Sequence, residues 1–551
     1  MWLEDINEFS EIFRGYFPYY LLVVLPIFIV MSPVNPVGAA HEFPVYRMQQ
    51  YDLHGLPHGC RSSSVNLEAR SLTSWSTNRH CVVARFQDIT SHKLREIRSK
   101  AGALFIVLPK DMSRISQELE MQMMEIEEEL LSQEIFIPVY FALWNNELQS
   151  VLDDVSSSFI TNDKTASATE AFLDAVSANG YQIVINANQP SVRTGVQITN
   201  IQGKLSGHGI EENLPTIAIV AHYDSYGAAP ELAFGGDSNA SGVVVLLELA
   251  RIFSMLYSNS KTHAPYNFIF LLSGAGKFNY LGSKKWLEDQ IDGVESSIVQ
   301  DAAFVLCLDS LSSNTTLHLH VSKPPKETSS RGLFFQELQN IAGSSNVQMV
   351  HKKINLADDF LAWEHERYGI RRLPAITLSA LRSHRDLKRK TIFDIRENVD
   401  LTALTNNAKT IAQALARLIY NNSKIDIFSD HLGIEMDSVK VLLDYIANQP
   451  RSAQLWADKN SPFIYSLKDI LGKYCRDVKM STLVSDKRDP DFVFYDVTQS
   501  TVHIYSVKPA VFDLFLTAAI VVYLSLVYLL LNNFSYIYTN VTKIVSSKKK
   551  S

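Results

Sequence analysis

Thr216-Ile-Ala-Ile-Val-Ala-His222-Tyr-Asp224-Ser-Tyr-Gly227 decides the fold of this 551-residue chain, together with Gly235-Gly236-Asp237-Ser238-Asn239-Ala240-Ser241-Gly242 and Phe268-Ile-Phe-Leu-Leu-Ser-Gly-Ala-Gly276-Lys277-Phe-Asn-Tyr-Leu-Gly282-Ser283. A β-branched apolar run ending in His-x-Asp reads as a buried parallel strand that delivers two polar side chains to its carboxyl end, where α/β sheets place their sites. Residues i and i+2 of a strand share a face, so His222 and Asp224 can point the same way. The Gly-Gly-Asp-Ser-Asn-Ala-Ser-Gly stretch reads as a tight loop that opens a long apolar helix over 243–256, with Ser241 or Asn239 as its cap. Taken alone, each of these motifs is also what an ordinary hydrogen-bonded strand end or a helix-start loop looks like. Their common order from 216 to 384, each at the end of an expected strand, is what separates the two readings.

That order resembles the zinc aminopeptidases with a co-catalytic metal pair. The resemblance implies a zinc-aminopeptidase-like (phosphorylase/hydrolase-like) α/β fold, a mixed sheet with helices on both faces. It also implies that His222 is a ligand oriented by Asp224, and that Asp237 bridges two metals. The strand Ala302-Ala-Phe-Val-Leu-Cys-Leu-Asp309 ends in the acid that family gives to one metal. The run Leu373-Pro-Ala-Ile-Thr-Leu-Ser-Ala-Leu-Arg-Ser-His384 resembles the strand that leads to its last histidine. Counted back from Gly282-Ser283, the family's glutamate pair falls on Gly276 and Lys277. Glycine has no group to act as general base, and lysine offers only ammonium donors where a carboxylate ligand belongs. At an effective dielectric near 20, unit charges 4 Å apart interact by roughly 4 kcal/mol, and a divalent ion facing an ammonium doubles that repulsion. The expectation is therefore a site with no catalytic residue and neither metal nor other cofactor, in which Lys277 pairs with Asp237, Asp309 or both.

Hydrophobic residues make up 46% of the chain and charged ones 20%, as in globular proteins with some membrane content. A net charge of −7 without a basic, aromatic-interleaved patch argues against a nucleic-acid partner. Four cysteines, Cys60, Cys81, Cys307 and Cys475, are too few for a disulfide scaffold. Cys307 is expected buried on a core strand, and pairing of Cys60 with Cys81 is left open.

The apolar run 19–31 is shorter than the roughly 20 residues that span a bilayer core, so 1–40 reads as a secretory signal peptide. Glu4, Asp5, Glu8 and Glu11 precede that run, where a signal is normally basic, and an uncleaved, partly inserted leader is the alternative. The span 511–531, uncharged from 514 onward, reads as a transmembrane helix, and 532–551 as a cytosolic tail with Lys543, Lys548, Lys549 and Lys550. This places the bulk of a single-pass type I protein in the lumen. Lys548 and Lys549 resemble a dilysine retrieval signal of the endoplasmic reticulum, although a stop-transfer flank is lysine-rich as well. Among the Asn-x-Ser/Thr acceptors, Asn421 and then Asn314 are the expected glycosylation sites, whereas Asn239 falls inside the site loop.

Residues 41–165 are expected to form a small α/β domain in which the acidic run Glu125-Ile-Glu-Glu-Glu is a solvated helix face. The linker is expected over 153–167, and 168–179 as the first helix of a main domain, 166–422. A membrane-proximal region, 423–508, is expected to hold two helices and, over 491–507, a two-stranded hairpin.

Closer features, His41-Glu-Phe-Pro-Val-Tyr-Arg-Met-Gln-Gln-Tyr-Asp-Leu, Asn355-Leu-Ala-Asp-Asp, Trp363-Glu-His-Glu-Arg and Lys487-Arg-Asp-Pro-Asp-Phe-Val-Phe-Tyr-Asp, resemble the nicastrin-like, catalytically dead branch of the aminopeptidase superfamily in the endoplasmic reticulum membrane. This resemblance implies a scaffold that assembles with the nodal modulator, a large Ig-repeat membrane protein, and with a small multipass protein. It implies further that the complex serves the translocon machinery for multipass membrane proteins, near the ribosome, and is linked to nodal signalling. The competing reading is a single-zinc hydrolase using His222, Asp237 and either Asp309 or His384.

Overall fold

The computed structural model describes residues 39–73, 79–157, 180–291, 302–428, 432–456, 461–484, 490–507, 510–534, 536 and 539–540. The leader before residue 39, the expected helix 168–179, most of the linker and the retrieval lysines Lys548 and Lys549 lie outside the described residues. The chain forms two compact units: Pro44–Gln149 with Ile185–Val502, and the described parts of Met1–Phe43, Ser150–Val184 and His503–Ser551. This grouping differs from the spans 41–165, 166–422 and 423–508 read on the sequence, because strands distant in sequence share sheets.

In chain order, β1 (His41–Arg47), β2 (Gln50–Leu53) and β3 (Leu56–Gly59) come first. The strands β4 (Val65–Ser71), β5 (Cys81–Arg85), β6 (Ala103–Val107) and β7 (Val139–Ala142) then run parallel. Helices α1 (Ser91–Lys100) and α2 (Gln117–Leu131) bury Leu94, Ile97, Met123, Ile126 and Leu130 against Val82, Ala84, Leu104 and Ile106. The acidic run on α2 is not wholly solvated. Glu127 is fully buried and accepts hydrogen bonds from the Ala228 N–H at 2.6 Å, the Thr391 hydroxyl at 2.5 Å and the Ile392 N–H at 3.1 Å. A buried carboxylate needs such donors, and they come from loops that lie far away in sequence.

After α3 (Asn146–Ser157) and β8 (Gly180–Ile185), the main sheet is built from β9 (Gln197–Leu205), β10 (Thr216–His222), β11 (Asn267–Ser273), β12 (Ala302–Leu308), β13 (Leu317–Val321), β14 (Val347–His351), β15 (Ala375–Ser379) and β16 (Arg476–Val484). The order across it is β14-β13-β15-β12-β10-β11-β9-β16. The centre, β11, β10, β12 and β15, is parallel, and β9, β13 and β16 join antiparallel. Strand alternation splits the core into two faces. Ile217, Ile219 and Ala221 pack with α4 (Gly242–Ser258), α6 (Ser330–Ala342) and α8 (Leu401–Ile419), whereas Ala218 and Val220 pack with Trp286 and Leu287 of α5 (Leu281–Ile291) and Tyr368 of α7 (His365–Ile370). The mixed sheet with helices on both faces is thus present. By length and composition Gly236–Ser258 could cross a membrane, yet most of it is buried in this core.

Past α9 (Met436–Ala447) and α10 (Pro462–Gly472), the expected hairpin does not form. β17 (Phe492–Phe494) pairs with β2 in a three-stranded sheet, and His503–Val507 of β18 (Gln499–Val507) pairs with Gly180–Val184 of β8. Alternation marks a strand without naming its partner. Burial of Phe492 and Phe494 against Tyr51, Leu53 and Phe278 selects the distant one. All four cysteines are free, buried thiols, so Cys60 and Cys81 are not paired. The C-terminal stretch is one helix, α11 (Ala510–Asn532), on which the consecutive residues Ile520, Val521, Val522, Tyr523 and Leu524 are all exposed. Consecutive exposed apolar residues leave that helix without a polar face.

Candidate functional site

The carboxyl ends of β10, β11, β12 and β15 bring most of the singled-out residues together. His222 ends β10, fully buried, with Nδ1 at 3.4 Å from a Glu364 carboxylate oxygen and Nε2 without a hydrogen-bond partner. Asp224 does not orient that ring through a hydrogen bond. Its two oxygens accept the N–H groups of Gly276 at 2.6 Å and Lys277 at 3.0 Å, which fixes the turn after β11. The result is a backbone pressed onto the histidine: a Cβ added at Gly276 would lie 2.3 Å from Cβ and Cγ of His222. A glutamate base cannot be accommodated there without moving the chain.

The loop before α4 is pinned from several sides. Asp394 accepts the N–H groups of Asp237 and Ser238, each at 2.7 Å. Burial, and then the neighbouring Asp237 carboxylate, push the Asp394 carboxyl up to about 7. The Asp237 carboxylate, the family's metal bridge, accepts instead the Ser312 N–H at 2.8 Å and the Ser313 hydroxyl. Asn239 supplies the cap that the sequence left between two residues. Its Oδ1 accepts the Gly242 N–H at 3.2 Å, and its Nδ2 donates to the carbonyls of His222 and Leu308. Fully buried and so engaged, it is closed to glycosylation in the folded chain.

Lys277 is buried, and its bonding differs from the expected ion pair with Asp237 or Asp309. The ammonium donates to the Ser238 hydroxyl and to the Arg389 carbonyl at 3.1 Å, and among the described residues it forms no direct ion pair. The cation on Asp309 is Arg389, 2.5 Å from its carboxylate, while Ser238 donates to the other oxygen at 3.2 Å. Arg389 also reaches the Tyr280 hydroxyl and the carbonyls of Ala362 and His384, and lies 4.1 Å over the Trp363 ring. Burial alone would raise the Asp309 carboxyl. Arg389, and after it Lys277, outweigh burial and hold it well below the usual carboxylate range. His384 contributes its carbonyl to Arg389, while burial, Lys352 and Arg389 push its imidazole down to about 4.

These residues do not fit a metal pair. Asp237 and Asp309 already have protein donors, Lys277 brings a positive charge, and among the described residues no three His, Cys, Asp or Glu side chains converge to hold a metal ion. The single-metal set of His222, Asp237 and Asp309 or His384 meets the same obstacle. Sequence reasoning missed Arg389, Asp394 and Glu364. A signal existed for the first, because Arg385-Asp-Leu-Lys-Arg-Lys390 is a dense basic run directly after His384. Lys277, Tyr280, His384, Arg389 and Lys390 line a cavity of about 520 Å³.

Residues 200–415 match the family described as Peptidase family M28. Over 563 residues the chain is 45% identical to the BOS complex subunit NCLN of Homo sapiens, covering 99% of this chain and 100% of that protein. It is 28% identical over 552 residues to nicalin of Caenorhabditis elegans, covering 95% and 96%. Among solved structures it resembles the gamma-secretase component nicastrin, with a TM-score of 0.58 at 11% identity, over 86% of this chain and 100% of that one. At that identity the likeness is one of fold.

Proposed function

Because the chain belongs to the nicalin family, whose Homo sapiens member is the BOS complex subunit NCLN, we propose that it is a non-catalytic subunit of a BOS complex in the endoplasmic reticulum membrane. In this reading its partners are the nodal modulator and a small multipass protein, and the assembly serves the translocon machinery for multipass proteins near the ribosome, with a link to nodal signalling. The bulk lies in the lumen and α11 is the anchor. At about 1.5 Å rise per residue, a 23-residue helix reaches about 34 Å, enough for a hydrocarbon core of about 30 Å.

The observation that carries the non-catalytic reading is Arg389 on Asp309. A permanent guanidinium bonded to the acid that should hold a metal makes the site self-neutralised. Loss of the general base follows from Gly276. Affinity purification of the full chain from mild detergent, read by mass spectrometry, is expected to recover both membrane partners. Recovery of the chain alone, or a zinc content near one per chain that His222→Ala abolishes, overturns the proposal.

A further inference from the structure

The chain leaves one end of the β8–β18 ribbon directly for α11. At that end β8 starts where β18 stops, with Gly180 paired to Val507, Tyr181 to Ser506 and Gln182 to Tyr505. β1 starts close by, where the Ala40 N–H donates to the Ile504 carbonyl at 2.8 Å. Ser506 is exposed, and Gly180, Tyr181, Tyr505 and Val507 are half-buried. Only Lys508 and Pro509 separate Val507 from Ala510, the first residue of α11. Three residue steps of fully extended chain span at most about 11 Å. The uncharged stretch of α11 begins at Leu514, so its first turn, 510–513, falls among the headgroups, a layer of about 5–7 Å on each side of the hydrocarbon core. The ribbon end therefore stands within about 11 Å of the headgroups, and a single helix is already about 10 Å across. No folded domain fits into that gap, whereas lipid does. Tyrosine, with an apolar ring and a polar hydroxyl, suits such an interface. The Tyr181 hydroxyl donates to the Asp154 carboxylate at 2.7 Å, and Lys508 adds to the tether a cation of the kind that binds phosphate.

We propose that this short tether holds the ribbon end, Gly180, Tyr181, Tyr505, Ser506 and Val507, against the headgroups of the lumenal leaflet, so that the partner it fits is a phospholipid surface. The inference rests on α11 being the anchor. The apolar run 19–31 enters the ribbon through Ala40, so the other stretch that the sequence sends toward the bilayer leads to the same end. A protein partner is then confined to the flanks of this end, beside it and not beneath it.

The test places a nitrobenzoxadiazole fluorophore on Ser506→Cys in the full chain, whose native cysteines are buried thiols, reconstituted in phosphatidylcholine vesicles. A nitroxide on the lipid headgroup is expected to quench the label more strongly than a nitroxide midway along the acyl chain or one dissolved in water. A Gly-Ser insert of about 12 residues between Lys508 and Pro509, roughly 20 Å in mean reach, is expected to abolish the headgroup quenching. Stronger quenching by the dissolved nitroxide than by the headgroup one, or headgroup quenching that survives the insert, overturns the proposal. Alkaline extraction of the same vesicles separates the two readings. A chain that is extracted removes the anchor, and a chain that stays with its label unquenched by the headgroup nitroxide removes this inference alone.

Discussion

At Asp309 a guanidinium stands 2.5 Å from the carboxylate, while the Lys277 ammonium reaches the same group only through the Ser238 hydroxyl. Removing a partner from a buried pair leaves an uncompensated charge at a cost of roughly 3–5 kcal/mol, whereas a lost hydrogen bond to a neutral partner costs roughly 1–3 kcal/mol. Arg389→Met is therefore expected to lower the melting temperature more than Lys277→Met, and the reverse order would return the counter-ion role to Lys277. Stoichiometric zinc is expected to leave wild-type melting unchanged. Gly276→Ala is expected to destabilise by about 1–3 kcal/mol through overpacking against His222; unchanged melting would show that the turn yields. His222, Asp237 and Asp309 were legible because strand ends and a glycine loop announce them in one sequence. Arg389 was not, because it ends a single 3-10 turn, Leu387–Arg389, 80 residues beyond Asp309 and acquires its role only on folding.

Elements were easier to find than their partners. The central strands β10 and β11 are buried along their whole length, and β12 at all but Ala303, so their apolar runs were plain. β16 escaped because it is a mostly exposed edge strand whose sequence, Arg-Asp-Val-Lys-Met-Ser-Thr-Leu-Val, shows no apolar run. α2 was recognised, but the one inward acid of its acidic run looks like the outward ones. Burial pushes the Glu127 carboxyl from 4.5 up to about 7, against the bonds from Thr391, Ala228 and Ile392. A pKa raised on folding favours the protonated folded form, so this contribution is complete below about pH 4.5 and is lost as pH rises through about 7. Its size is about 3 kcal/mol at about 1.4 kcal/mol per unit. Glu127→Gln is expected to flatten the fall in stability between about pH 5 and 7, with Asp394 supplying what remains. Urea midpoints across that range that fall as steeply in the variant as in wild type would refute the assignment.

For the whole molecule, the proposed orientation predicts that sealed microsomes protect the body from added protease. Endoglycosidase-sensitive sugar is expected at Asn421 and Asn314, which are exposed, and none at the buried Asn239. Digestion without detergent would invert the topology. Changing Lys548 and Lys549 to Ser is expected to shift the protein out of the endoplasmic reticulum in cells lacking its partners, and unchanged distribution would remove the retrieval reading. A chain threaded into the lumen also meets a hazard at Gly236–Ser258, because a segment apolar enough to lodge in a bilayer must slip through the channel before its sheet exists to shelter it. Glu248 and Arg251 sit inside that segment, joined at 2.7 Å in the fold. Each charge at mid-membrane depth disfavours lateral release into lipid by roughly 2.5–3.5 kcal/mol. The same two side chains that anchor the helix to Ser438 and Gly433 once it has folded thus keep it from being mistaken for an anchor while the chain is still in transit.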